Sequence, residues 1–298
     1  MGSKGTGRIE TKTSRTATMT CLSRAASYMD KRECYTGPDG IAYVLVPLLL
    51  KMLIKSGWMF KLFSRYFFPN GIYEYVIART KYFDAAFSQA VEQGFEQIII
   101  FGAGFDSRAL RFNSLSTGTR IFELDAPITQ TEKLKAYRAK KLNIPDNLTF
   151  VPINFNQESL ADKMAQAGFI TGRQCLFLLE GLTMYLSQEA VEHTFRFISD
   201  VSRSGSLIVF DYIYAGVLRK ENRYYGEGEI YRTVANAGEA WSFALEENSV
   251  EGFLRGYEFS LNDHSDKHKL EEKYFRDSKG LVIGKINGTH AVVTGIKM

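Results

Sequence analysis

Between Gln97 and Tyr212 the chain repeats one pattern: a short apolar run, then a longer stretch with apolar residues at helical spacing. The apolar runs predict strands at 97–101, 120–124, 148–153, 175–179 and 206–212. Ile98 to Phe101 is β-branched and aromatic throughout, the pattern of a strand buried on both faces. Helical spacing predicts helices at 82–93, 129–141, 159–167 and 188–202. Such alternation implies a parallel sheet with helices on both faces. The tail differs. Residues 238–259 read as a helix leading into a strand at 257–261, and 264–275 as a helix. Residues 290–296 read as a closing strand, with a further short one at 281–286. The expected fold is a doubly wound, Rossmann-like α/β sheet whose final strand is antiparallel.

Residues from Thr13 to Gly71 carry helical patterns and few strand signals, after a polar first dozen expected to be disordered. This divides the chain into an N-terminal helical lid over residues 1–72 and a sheet domain over 73–298. Within the latter, 213–238 is a Tyr- and Gly-rich insertion, expected to be a loop that covers substrate. Ile41 to Leu50 is wholly apolar, but it is shorter than the roughly twenty residues of a membrane span, contains Pro47 and runs into Lys51 and Lys55. Leu53, Ile54, Trp58, Phe60, Leu62 and Phe63, with Lys61 and Arg65 between them, suit amphipathic helices packed on the domain. Peripheral attachment to a membrane is the alternative that apolar bulk with basic flanks leaves open.

Composition adds a few exclusions. Hydrophobic residues make up 45% of the 298, enough for a large core, and a net charge of +4 spread along the chain does not argue for nucleic acid. Cys21, Cys34 and Cys175 lie far apart, without metal-ligand or disulfide spacing, which fits a reducing, cytoplasmic setting. No signal-peptide core opens the chain. Of the histidines His193, His264, His268 and His290, only His264 and His268 have helical-turn spacing, and no third ligand accompanies them, so no metal is expected.

The chemistry concentrates after the first strand, in Gln97-Ile-Ile-Ile-Phe-Gly-Ala-Gly-Phe-Asp-Ser-Arg108. Gly102 and Gly104 permit a tight turn and let a ligand approach the backbone. A helix start at 107–112 offers unpaired amides, and about twenty residues on a second strand ends in Asp125, placed to hold a ribose diol. The third glycine of the dinucleotide fingerprint is replaced by Ser107, which favours a nucleoside cofactor over NAD. Asp106 is expected to anchor the turn, and Glu123 to brace it. Strand-end geometry gathers the glycines, Asp125, Asn154 with Phe155, and Glu180 near one another.

Arg79-Thr-Lys-Tyr-Phe-Asp84, the glycine turn, Glu123-Leu-Asp-Ala-Pro127 and Glu180-Gly-Leu-Thr-Met-Tyr-Leu186, together with Ser14-Arg-Thr-Ala17 and Arg24-Ala25, resemble the leucine carboxyl methyltransferase family. The likeness is nearest to its bacterial-type S-adenosylmethionine (SAM) dependent O-methyltransferases and runs from about Ser14 to about Phe259. It implies a SAM methyltransferase fold with SAM as cofactor. Arg79 is then the clamp for the methionine carboxylate and Arg24 a second cation, with a surface or structural arginine as the bland alternative for each. Where the family carries an acid followed by leucine, this chain has Asn154-Phe155, an amide and a ring that can still serve adenine. Glu180 matches an acid placed close to the cofactor, although a helix-capping role would explain it as well. Tyr185, Tyr212 and Tyr214 stand where walls of an acceptor pocket are expected.

The expected reaction is methyl transfer to an oxygen of a small molecule, less readily of a protein C-terminus. A carboxylate, with a pKa of about 4, arrives ionised and needs no base, so alignment alone would serve. A hydroxyl needs help with its proton, and no histidine is evidently placed to give it. That favours a carboxylate acceptor and no dedicated catalytic residue. A nicotinamide oxidoreductase and a SAM-binding protein without turnover are the rival classes.

Overall fold

The computed structural model describes residues 14–116 and 118–298; the first dozen residues, expected to be disordered, lie outside the described residues. Seven strands form one sheet: β1 (Gln97–Phe101), β2 (Arg120–Asp125), β3 (Leu148–Pro152), β4 (Cys175–Leu179), β5 (Leu207–Ile213), β6 (Phe259–Ser265) and β7 (His290–Lys297). Their order is β3-β2-β1-β4-β5-β7-β6. The first five are parallel, and β7 runs antiparallel between β5 and β6. The strand order reverses between β1 and β4, where a crevice opens at the carboxyl ends.

Around the sheet lie α1 (Arg15–Met29), α2 (Gly40–Leu45), α3 (Leu48–Lys55), α4 (Gly57–Phe67), α5 (Ile72–Glu92), α6 (Arg108–Arg111), α7 (Pro127–Ala139), α8 (Leu160–Gln166), α9 (Gln188–Val201), α10 (Ala215–Leu218), α11 (Glu227–Ala237), α12 (Val250–Arg255) and α13 (Lys267–Tyr274). Side chains alternate across each strand, so two cores form. Ile98, Ile100, Leu176, Leu178, Val209 and Val292 pack towards Phe83 and Phe87 of α5 and Ala25 of α1. Ile99, Phe101, Phe177, Leu179 and Phe210 pack on the other face, with Phe195 and Ile198 of α9.

The entry into α5 depends on Gly71, whose φ of +74° is left-handed and whose Cβ would stand 2.4 Å from the Asn287 nitrogen. From there α5 starts ten residues earlier than its apolar pattern suggested, because Tyr73, Tyr75, Val76 and Arg79 are buried as well. Asp39 caps α2, accepting from the Ala42 amide at 2.8 Å, and Pro47 separates α2 from α3. The α3–α4 pair packs only part of its apolar surface: Leu48, Leu49, Trp58 and Tyr66 are each more than 70% exposed, between Lys51, Lys55, Lys61 and Arg65. Among the described residues no helix is long and apolar enough to cross a membrane.

The tail departs from its sequence pattern. The helix expected over 238–259 shrinks to α12, because the preceding segment runs extended, with Ser242 bonded to the Met184 carbonyl and Leu245 bridged to Tyr214. β6 continues to Ser265 since His264 and Ser265 pair with β7, and α13 starts only at the Asp266 cap. Residues 281–286 contribute one bridge, Val282 to Arg276, and no strand. The 213–238 insertion is largely helical, holding α10 and α11.

Candidate active site

At the end of β1 the chain turns through Gly102 (φ +61°) and Gly104 (φ +48°). A Cβ on Gly102 would lie 2.9 Å from the Leu182 side chain, and one on Gly104 3.1 Å from Ala17 of α1. The turn is therefore bare backbone facing a cleft that α1 partly roofs. At the end of β2, Asp125 accepts from the Gly104 amide and, at 2.6 Å, from the Ala126 amide. Burial pushes its carboxyl up to about 6, against the pull of those two amides. Asp106 anchors the turn as expected, accepting from the Arg108 amide at 2.7 Å and from the Arg108 guanidinium. Burial opposes its charge, but Arg108 and then Lys133 outweigh that and hold it down to about 2. Glu123 pairs with Lys133 of α7 at 2.6 Å, both fully buried. This braces β2 against α7.

Behind the cleft lies a buried ion network. Glu180, at the end of β4, takes Arg79 Nε at 3.1 Å on one oxygen and Arg108 Nη1 at 2.7 Å on the other. Burial raises the Glu180 carboxyl, yet Arg108 and Arg79 together hold it below the usual range. Arg79 Nη1 also donates to Asp211 at 2.8 Å, and the same Asp211 oxygen accepts from Tyr75 Oη at 2.8 Å. Asp211 Oδ1 accepts the Gly181 amide at 2.5 Å. Arg108 continues to Asp84 at 2.7 Å, and Arg111 closes on Asp84 as well. Arg24 faces Asp39 at 3.0 Å and donates to the Phe105 carbonyl at 2.6 Å. The Arg24–Asp39 contact is an ion pair without good hydrogen-bond alignment, since neither facing atom has a well-formed bond.

Two cavities adjoin here. One is lined by the glycine turn, Asp125, Asp106, Arg24, Arg79 and Glu180. The other is mostly apolar, walled by Met19, Ile72, Val76, Met184, Ile230 and Trp241. They share Thr16, Thr20, Arg79, Gly181 and Tyr185. Glu239, just after α11, ties the roof down: it accepts the Arg15 amide at 2.7 Å, the Thr16 amide at 3.2 Å and the Thr16 hydroxyl. The N-terminal helical region and the residue just past the 213–238 insertion thus meet at one carboxylate.

Gly102, Gly104, Asp125, Arg24, Arg79, Glu180 and Tyr185 all line the cleft. Asn154 and Phe155 do not: the Asn154 side-chain Oδ1 accepts from the Asn156 amide at 3.1 Å in a local turn, and Phe155 packs on Phe101, 6.1 Å between centroids. Tyr212 and Tyr214 are likewise corrected. Alternation along β5 sends Asp211 towards α5 and the site, and Phe210, Tyr212 and Tyr214 into the opposite core. There Tyr212 pairs with His264 at 3.1 Å and Tyr214 stacks on Tyr224. His264 is on β6, not one helical turn from His268, and no cluster of metal-ligating side chains occurs among the described residues.

Sequence reasoning missed Asp211, Tyr75, Arg108, Glu239, Trp241 and His290. Asp211 was findable as the one charge inside an apolar strand run. His290 was dismissed, but β7 pairs it with Ile213, placing it at the carboxyl edge of β5 and on the wall of the apolar pocket.

This sheet, with its glycine turn, strand-end acid and roofed cleft, has the architecture of the Rossmann-like SAM methyltransferases. The chain belongs to the leucine carboxyl methyltransferase family, whose model matches residues 18–199. Among relatives, it is 25% identical over 203 residues to the Bacillus subtilis protein named "Putative S-adenosyl-L-methionine-dependent methyltransferase YktD", covering 68% of this chain and 66% of that one. A Mycobacteroides abscessus "Putative S-adenosyl-L-methionine-dependent methyltransferase" is 33% identical over 138 residues, 46% of this chain and 43% of its own. The matched stretch thus spans less than two thirds of either relative. Among solved structures, a DUF574 family protein from Streptomyces avermitilis aligns over 98% of this chain and 100% of its own, with a TM-score of 0.62 at 15% identity. A second, from Thermobifida fusca, aligns over 95% and 97% with a TM-score of 0.61 at 14% identity. These two share the fold.

Proposed function

We propose that this protein is a SAM-dependent methyltransferase acting on an oxygen of an apolar small molecule, a carboxylate or a hydroxyl. The observation that carries the reading is the junction of the polar cleft with the apolar pocket at Thr16, Arg79, Gly181 and Tyr185. SAM, the cofactor named for the relatives, supplies when bound a methyl group on a positively charged sulfur.

The residues present fit that group. The bare backbone at Gly102 and Gly104 leaves room that a Cβ would fill, and Asp125 keeps lone pairs for a ribose diol beyond those its two amides take. Arg79 is the carboxylate clamp, and with Nε given to Glu180 and one Nη1 hydrogen to Asp211, a ligand is left Nη2 and the second Nη1 hydrogen. Arg24 adds positive potential from behind Phe105. Without Asn154 and Phe155, the half-buried Phe105 and Tyr185 on the cleft wall are the aromatic side chains left for an adenine. α1, held by Glu239, roofs the cleft and excludes water, which favours a transfer that disperses charge.

Calorimetry with SAM, S-adenosylhomocysteine and NAD tests the reading, followed by S-adenosylhomocysteine release in the presence of apolar acids and alcohols. Tight NAD binding with no signal from either sulfur nucleoside would replace it with the oxidoreductase; binding without release for any acceptor would leave a sensor.

A further inference from the structure

The wall of the apolar pocket carries a polar group with a defined protonation. His290 opens β7 on the face of the sheet that meets α5, its ring stacked on Tyr75 at 4.5 Å and edge-on to Trp241 at 5.4 Å. Asn287 Oδ1 accepts the Thr289 amide at 3.2 Å while its Nδ2 donates to the Asn70 carbonyl at 2.9 Å, which fixes which atom is oxygen. Thr289 Oγ1, 2.5 Å from that oxygen, must donate to it. With its proton so used, the Thr289 hydroxyl accepts from His290 Nδ1 at 2.7 Å. The imidazole therefore carries its proton on Nδ1 and presents a lone pair on Nε2. Nε2 makes no hydrogen bond among the described residues, and His290 lines the pocket. Burial, and then the Arg79 charge, hold its pKa down to about 3, so the ring is neutral at physiological pH.

Building on the methyltransferase reading, we propose that the acceptor is a hydroxyl, a phenol, enol or alcohol on an apolar body, which donates to His290 Nε2 and passes its proton there as it is methylated. The oxygen lone pair forms the new O–C bond, and the methyl–sulfur bond breaks with its electron pair remaining on sulfur. The hydroxyl proton moves to Nε2 and then to solvent. A weak base suffices, because a proton on an oxygen that is acquiring a methyl group is strongly acidic. Of the cations lining this pocket, Arg15 is exposed and therefore a weak partner for an anionic acceptor. Arg79 is held between Glu180 and Asp211, Glu239 adds negative charge at the roof, and the Nε2 lone pair repels a carboxylate. The carboxylate preference drawn from the sequence rested on the lack of a placed histidine, and His290 removes that premise.

The test compares 2-naphthol with 2-naphthoate, matched in size, on the protein loaded with S-adenosylhomocysteine. 2-Naphthol should bind at least tenfold more tightly at pH 7, and with SAM it should be converted to its methyl ether. His290→Phe, which keeps a ring against Tyr75, should weaken naphthol binding at least tenfold and slow methylation about 100-fold, with S-adenosylhomocysteine affinity and melting temperature unchanged. His290→Gln, whose amide still accepts, should bind naphthol within threefold of wild type while remaining slow. Tighter binding of naphthoate, no binding of naphthol, wild-type naphthol binding by His290→Phe, or a wild-type methylation rate in either variant overturns the proposal. If S-adenosylhomocysteine itself does not bind, the methyltransferase reading beneath it falls instead.

Discussion

On the proposed function, Asp125 would couple stability and ligand binding in one side chain. Its pKa of about 6 in the free protein means that the fold holds this proton more tightly than the unfolded chain does. The resulting contribution to stability is complete below the usual aspartate value and is lost as pH rises through about 6. Above that, the carboxylate is ionised against its burial, and a ribose diol bound as proposed would relieve the cost by donating two hydrogen bonds. S-adenosylhomocysteine affinity should therefore be flat above pH 7 and fall as pH drops through 6, measured by calorimetry across that range. Asp125→Ala should cost on the order of 1 to 3 kcal/mol of binding and remove this pH dependence. A mutant that keeps both the affinity and the titration would exclude the ribose role. Arg79 is less separable from the fold. It sits between two buried carboxylates, so Arg79→Ala leaves Glu180 and Asp211 short of a partner and should lower stability by roughly 3 to 5 kcal/mol. Arg79→Lys keeps the charge but not the fork. It should weaken S-adenosylhomocysteine more than adenosine, which has no carboxylate; equal weakening would make Arg79 structural only.

Among the elements, α1 is the cover that the cleft depends on. Ser14 caps it through the Ala17 amide, and Glu239 takes the Arg15 and Thr16 amides, so two segments more than 220 residues apart share one helix end. Glu239→Ala should destabilise this end by about 1 to 2 kcal/mol, as the loss of a cap does. Limited proteolysis should then cut near Arg15 and Arg24 faster than in wild type, and S-adenosylhomocysteine should protect both proteins. Equal cutting in the two would mean that Glu239 does not hold the roof. Strand positions were legible almost to the residue, because buried parallel strands are unbroken apolar runs. The tail was not. Residues 238–249 carry helix-compatible composition, but the Ser242, Phe243 and Leu245 amides are satisfied by the Met184 and Ile213 carbonyls at the carboxyl end of the sheet, a tertiary choice that local spacing does not encode.

For the whole molecule, the cleft joins parts of the chain that only the sheet brings together: α1, the end of β1, the end of β4 and the segment after α11. A ligand bound there stabilises all of them at once. At 100 times its Kd, S-adenosylhomocysteine should add about 2.7 kcal/mol to unfolding and raise the melting temperature, with NAD giving no shift. A rise with NAD alone would reverse the cofactor assignment. The sequence by itself determined the sheet strands, the glycine turn and its acid, because these follow from local apolar runs and from backbone angles that glycine adopts most readily. The tertiary structure alone decided which side chains share the site. Adjacent residues on a strand face opposite ways, so Asp211 reached Arg79 while Tyr212 turned into the core. The reverse direction of β7 brought His290 to the end of β5, a contact set by the pairing of distant strands that no local pattern records.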